Sequence, residues 1–343
     1  MAYLNHTIMN KMTNYVASRQ SCTMRLLVWM DELNAAFQRQ KRLGSATNYL
    51  RTRQNFMCFL SQIGEGDIPI SRLNAELLAG YQEWLLASGK SRNTLAFHMR
   101  NLRSVYNHAM RDGLLPRHLW DTAPFLHVCT SSAPTHKRAA DTEVLSSLSK
   151  LNIGDGLKSV GKDPARKSFE RMVRDVTFAR DTFIFCFCAC GLPFVDFAYL
   201  TDDNIRNGML CYERHKTGTH IEMEILPQMQ QFIDRYATHT PYLFPVLTSR
   251  NTEEAYRQYC KALRRYNHRL QLLSKMLDTD INLSTYVARH SWATTVYHNN
   301  MPESYIKERM GHTSLQTTRT YLKSFESSKI DDMNRRIINM IIK

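Results

Sequence analysis

Tyr286-Val287-Ala288-Arg289-His290-Ser291-Trp292-Ala293-Thr294, followed by Gly311-His312 and, nine positions after that histidine, by Tyr321, is the stretch that decides how this sequence is read. Upstream of it stand Arg214-His215-Lys216-Thr217-Gly218 and Gly191-Leu192-Pro193-Phe194-Val195-Asp196. Each piece alone has an ordinary structural explanation: a turn lysine is solvated, a histidine after glycine caps a helix, a tyrosine packs in a core. Only together, in this order along one half of the chain, do they point to chemistry.

The neighbouring sequence says which elements carry them. Asp181–Cys190 reads as a long apolar helix stopped by Gly191 and Pro193. Then the period changes. Met209–Arg214 and His220–Ile225 alternate apolar and polar on either side of Lys216-Thr217-Gly218, which predicts a β-hairpin, and Asn204–Ile205 with Asn207-Gly208 suggests a short third strand before it. From Pro227 onward helices resume. Cys186, Cys188 and Cys190 lack paired CxxC spacing and read as small buried hydrophobes in a reduced compartment, not as metal ligands.

The first third of the chain is helical throughout. Leu26, Leu27, Met30, Leu33 and Phe37 form one apolar set near a 3.6 period, and Tyr49, Phe56, Phe59 and Leu60 a second. Gly64–Pro69 is a break and Leu73–Leu86 a third helix. Ser91 caps a fourth, with Leu95, Met99, Leu102, Val105, Tyr106 and Ala109 on its apolar face. That helix carries Arg92, Arg100, Arg103 and Arg111, which suit either a solvated face or a DNA groove. Thr122–Ala140, with Pro124, Pro134 and Lys137-Arg138, reads as a linker, and Asp141-Thr142-Glu143 opens the second domain.

Composition sets the outer bounds. With 343 residues, 43% apolar and 22% charged, the chain is globular and long enough for two domains. No run approaches the ~20 apolar residues that cross a bilayer, and Met1–Gln20 is polar without a secretory apolar core, so a cytoplasmic protein is expected. The net charge of +14 divides into +8 before Arg138 and +6 from it onward. Both parts are basic, which favours an extended anionic partner but also fits a basic protein without one.

These segments resemble the catalytic boxes of the tyrosine recombinase (phage integrase) family, and Asn93-Thr94 with Met99–Asn107 resembles that family's core-binding domain. The resemblance implies a mainly α two-domain protein: a helical core-binding (SAM-like) domain plus a mixed α/β catalytic domain with a small antiparallel sheet, the DNA breaking-rejoining enzyme fold. The expected layout is a 1–20 extension, a core-binding domain at 21–121, a linker at 122–140, a catalytic domain at 141–326 and a tail helix at 327–343. By the same resemblance Tyr321 attacks a DNA phosphorus to give a 3′-phosphotyrosyl link, with no metal and no cofactor. An ester of this kind keeps the bond energy, so a 5′-hydroxyl can reverse the step. The added charge on the equatorial oxygens calls for fixed cations, and the planar guanidinium of Arg289 grips two oxygens at once. Lys216 is carried over as general acid for the departing 5′-oxygen and His312 as a donor to the phosphate.

Two positions depart from the family pattern. Where its first catalytic arginine stands, this chain has Pro193, and loss of one such donor costs roughly 10²–10³ in rate. Arg214 is the candidate replacement, because period 2 along a strand puts it on the face of Lys216; Arg180 is a weaker one. Tyr286 stands where many relatives carry histidine, and it either donates one hydrogen bond to phosphate or merely packs. His290 and Trp292 read as structural, fixing the helix that presents Arg289.

The expected DNA contacts are Arg92, Arg100, Arg103, Lys137, Arg138 and Arg264, the last on a basic stripe with Arg257, Lys261, Arg265 and Arg269 that equally suits solvent. Ile330, Met333, Ile337, Ile338 and Ile341 form an apolar tail stripe that packs on its own domain or, as the family implies, on a neighbouring protomer. The resemblance implies double-stranded DNA as partner, a dimer on one site and a tetramer at synapsis, and no membrane. With about 20 residues before the first helix, a DNA invertase or small mobile-element integrase is favoured. Its rivals are a DNA-binding relative whose catalysis is weakened, for which Pro193 speaks, and a type IB topoisomerase-like relaxing enzyme.

Overall fold

The computed structural model of the chain describes residues 24–133, 139–238 and 241–322. It is mainly helical with one small antiparallel sheet, and it divides into two units between residues 135 and 136, inside the segment read as a linker. Lys137, Arg138 and the tail stripe from Ile330 to Ile341 lie outside the described residues. No described helix is long and apolar enough to cross a membrane.

The first unit is built on α1 (Leu26–Arg39), α2 (Leu43–Gln62), α3 (Ala75–Ala87) and α4 (Arg92–Arg111). Leu26 and Met30, Phe56 and Leu60, Leu78 and Tyr81, and Met99 and Leu102 from the four helices meet in one core. The Ser91 side chain caps α4 by accepting from the Thr94 amide at 3.2 Å. Where Leu73 was expected to open the third helix, α3 starts at Ala75. The reason is Asn74, whose side chain accepts from the Leu77 amide at 2.9 Å, while Leu73 is buried ahead of the cap.

The second unit begins with α5 (Thr142–Lys150), capped by Asp141, then α6 (Ile153–Ser159) and α7 (Phe169–Cys188). α7 is the central helix, with α5 and α6 packed on it and Val176, Ala179, Phe183 and Cys186 as its buried stripe. It starts at Phe169, not at Asp181, because the stripe continues through a polar stretch that holds Arg171, Arg174 and Asp175. After α8 (Phe194–Ala198) come β1 (Ile205–Arg206), β2 (Met209–Glu213) and β3 (His220–Glu224), antiparallel in that order. Leu210 pairs with Met223 and Tyr212 with Ile221, and these four are buried while Glu213, Glu222 and Glu224 face solvent. Asn207 and Gly208, at φ 51° and 74°, make the tight left-handed turn between β1 and β2. The chain closes with α9 (Pro227–Tyr236), α10 (Thr252–Met276), α11 (Thr285–His298), α12 (Glu303–Met310) and α13 (Leu315–Leu322). α9, α10 and α11 also pack on α7.

Candidate active site

Two buried guanidiniums define the site. Arg289, on α11, is 5% exposed and donates from Nη1 to the Gly191 carbonyl at 3.0 Å and from Nη2 to the Met310 carbonyl at 2.6 Å. Arg214, in the β2–β3 turn, also donates to the Met310 carbonyl. That carbonyl ends α12, where the helix dipole is negative and favours cations. Arg214 Nε further forms an ion pair with Asp196 Oδ2 at 2.8 Å, and Asp196 Oδ1 accepts from the His215 amide at 2.8 Å. Burial raises the Asp196 pKa above the ordinary carboxylate value, against the pull of the His215 amide and Arg214. Burial, and after it the charge of Arg214, lowers the Arg289 pKa to about 10, so the group stays cationic at neutral pH.

Two glycines let the arginines sit this close. Gly191 follows the end of α7 at φ +73°, and a Cβ there would lie 2.9 Å from Arg289 Cα. Gly311, at φ +62°, ends α12 in the left-handed conformation, and a Cβ there would lie 2.9 Å from Arg214 Cγ and 3.1 Å from Ile221 Cδ1.

Tyr321 is half-buried on α13, between two imidazoles. Its hydroxyl meets His290 Nδ1, with the two rings 5.1 Å apart, and the His312 ring stands edge-on at 5.7 Å. His312 Nδ1 is 2.9 Å from Thr318 Oγ1, and its Nε2 is 3.3 Å from Arg289 Nη2. Burial pushes the Tyr321 pKa well up, the Arg289 charge opposes this and Tyr286 adds to it. The arrangement sets a phenol between two imidazoles and within the field of one guanidinium, whose charge favours an anion at the phenol oxygen while burial opposes it.

The sequence-predicted residues therefore divide. Arg289, Arg214, His312 and Tyr321 converge although they come from four separate segments. Lys216 is exposed at the hairpin turn, whose Thr217 Oγ1 reaches the Gly311 carbonyl at 3.4 Å. Strand alternation does not govern the pair Arg214 and Lys216, because β2 ends at Glu213; one is buried and the other exposed. Arg180 is engaged elsewhere, with Asp181 at 2.7 Å and the Leu151 carbonyl at 2.9 Å. Tyr286 is 64% exposed in the first turn of α11, its ring 6.0 Å from that of His290. Sequence reasoning missed His290 as a neighbour of the tyrosine, and it missed Thr318; both lie inside the quoted motifs, but nothing local marks their partners.

On α4, Arg92, Arg100 and Arg103 are exposed, and Arg100 donates to the Thr130 carbonyl at 2.8 Å and to Ser132 Oγ at 2.9 Å. Arg264 is exposed on α10, while Arg257 and Arg269 pair with Glu254 at 2.7 Å and Asp175 at 3.1 Å. Among the described residues no cluster of His, Cys, Asp or Glu is arranged to hold a metal ion.

A family model described as the phage integrase SAM-like domain matches residues 25–125, and one described as the phage integrase family matches residues 182–328. A search of curated proteins found no match. Among solved structures, a lambda integrase dimer bound to a COC′ core site aligns with a TM-score of 0.56 at 14% identity, over 91% of this chain and 80% of that one. A lambda integrase tetramer bound to a Holliday junction gives 0.58 at 14% identity, over 90% and 80%. A Tn1549 transposon integrase in complex with transposon right end DNA gives 0.50 at 13% identity, over 91% and 100%. At such identities these likenesses concern the fold.

Proposed function

The chain belongs to the phage integrase family, and on that premise we propose that it is a site-specific recombinase that cleaves and rejoins DNA through Tyr321, in integration or inversion. The observation that carries this reading is the convergence of a phenol with two buried guanidiniums and two imidazoles. The Tyr321 oxygen attacks the scissile phosphorus and the 5′-oxygen leaves with a proton from Lys216. Arg289 and Arg214 hold the non-bridging oxygens, and His312 stands beside them. Arg214 thus does the work of the arginine absent at Pro193, and its ion pair with Asp196 fixes it for that task. The partner is duplex DNA, gripped through Arg92, Arg103 and Arg264 among others, with a dimer on one site and a tetramer at synapsis; a lambda integrase dimer on a core site and a tetramer on a Holliday junction support this.

Covalent trapping tests this. A duplex selected for binding from a random-sequence library, rebuilt with a 5′-bridging phosphorothiolate at each candidate position, cannot be rejoined after cleavage. The expected product is a 3′-phosphotyrosyl adduct that peptide mapping assigns to Tyr321 and that Tyr321→Phe abolishes. An adduct on another residue contradicts the assignment. Tight binding with no adduct at any position favours the catalytically weakened relative instead.

A further inference from the structure

His290 stands against the proposed nucleophile but has no task in the roles above. It follows Arg289 on α11, and its Nδ1 meets the Tyr321 hydroxyl, with the two rings 5.1 Å apart at 28°. The other imidazole at this tyrosine is committed differently. A guanidinium only donates, so Arg289 Nη2 at 3.3 Å makes His312 Nε2 an acceptor. The neutral His312 ring then carries its proton on Nδ1, directed at Thr318 Oγ1 2.9 Å away. The basic lone pair of His312 faces Arg289, whereas Nδ1 of His290 faces the phenol.

We propose that His290 is the general base that takes the proton of Tyr321 as it attacks. This rests on the reading of Tyr321 as nucleophile. In the forward step the Tyr321 O–H bond breaks and its proton passes to His290 Nδ1. The freed electron pair forms the O–P bond, the P–O5′ bond breaks, and the 5′-oxygen is protonated by Lys216. In rejoining, the 5′-hydroxyl attacks phosphorus and returns its proton to Lys216, while the departing phenolate recovers its own from the His290 imidazolium. A base in contact answers a specific difficulty, since burial holds this phenol protonated at neutral pH. Among the described residues, the groups placed around His290 include Tyr321 from α13, Tyr286 a turn earlier on α11 with its ring at 6.0 Å, the adjacent Arg289, and His312 beyond the tyrosine.

Single-turnover cleavage of the phosphorothiolate duplex isolates this step, because its sulfur leaving group departs without a proton. The wild-type rate should rise with pH and level off once the imidazole is neutral. His290→Asn keeps an acceptor near the Nδ1 position without its basicity. It should be about 100-fold slower at pH 7, the lower end for a lost general base, and should climb tenfold per pH unit to pH 9 as hydroxide takes over. Equal rates for His290→Asn and wild type overturn the proposal, and so does a wild-type rate that climbs to pH 9 without levelling. Should the variant fail to fold, the wild-type profile decides alone. An adduct on Tyr321 with an unaffected His290→Asn rate sinks only the base; an adduct that survives Tyr321→Phe sinks the nucleophile beneath it.

Discussion

Gly311 shows how much of this site depends on single atoms. Its φ of +62° and the 2.9 Å approach of a hypothetical Cβ to Arg214 Cγ mean that a methyl there strains the backbone and displaces a guanidinium together. The left-handed conformation alone costs an alanine about 1–2 kcal/mol. Gly311→Ala should therefore lower the melting temperature by several degrees and reduce the yield of covalent adduct at least tenfold. Gly64→Ala is the control, with φ +74° and nothing within 4 Å of its added Cβ: it should cost stability without touching cleavage. Wild-type adduct yield from Gly311→Ala would mean that Arg214 does not need this packing. Arg289, His312 and Tyr321 each sit in a short motif, which is why the sequence alone singles them out as candidates. The neighbourhood of Arg214 was not, since it comes from Asp196 and the Met310 carbonyl and not from strand alternation. His290 looked structural for a similar reason: its partner at Tyr321 is 31 residues away in sequence.

Among elements, α4 is the clearest case of a sequence dictating two faces. Leu95, Met99, Leu102 and Val105 are buried and Arg92, Arg100 and Arg103 are exposed, as their spacing predicts. His98 lies on the buried side, its Nδ1 3.1 Å from Thr52 Oγ1 on α2. Burial, with Lys90 second, lowers its pKa below 6.5, so the unfolded chain binds this proton more readily than the folded one. The stability it contributes is present above pH 6.5 and is lost as the pH falls through the folded value. Amide exchange in α2 and α4 of the full chain should accelerate between pH 7 and pH 5 after correction for intrinsic rates, and His98→Gln should flatten that dependence. A profile unchanged by the substitution would put the acid sensitivity elsewhere. Element boundaries were less legible than faces: α7 extends back to Phe169 because a helix with a single buried stripe tolerates Arg171, Arg174 and Asp175 on its other sides.

For the whole molecule, the chain divides into two units between residues 135 and 136, and the stretch from Thr122 to Ala140, which lacks a helical period, still buries Phe125 in the core of the first unit and Ala140 in that of the second. Both units carry a net positive charge in their sequences. What the sequence could not supply is the convergence in the second unit. The hairpin turn, the start of α11, the end of α12 and the face of α13 meet only when the whole unit is folded, and that meeting brings a second cation, Arg214, to the Met310 carbonyl that Arg289 also holds. In the function proposed above, Arg214 supplies the transition-state donor that Pro193 lacks. The most direct test is the single-turnover adduct yield of Arg214→Ala on the phosphorothiolate duplex, with DNA affinity measured alongside. The rate should fall roughly 10²–10³-fold, as expected for one lost transition-state donor, at unchanged affinity. Adduct formation at the wild-type rate would contradict it.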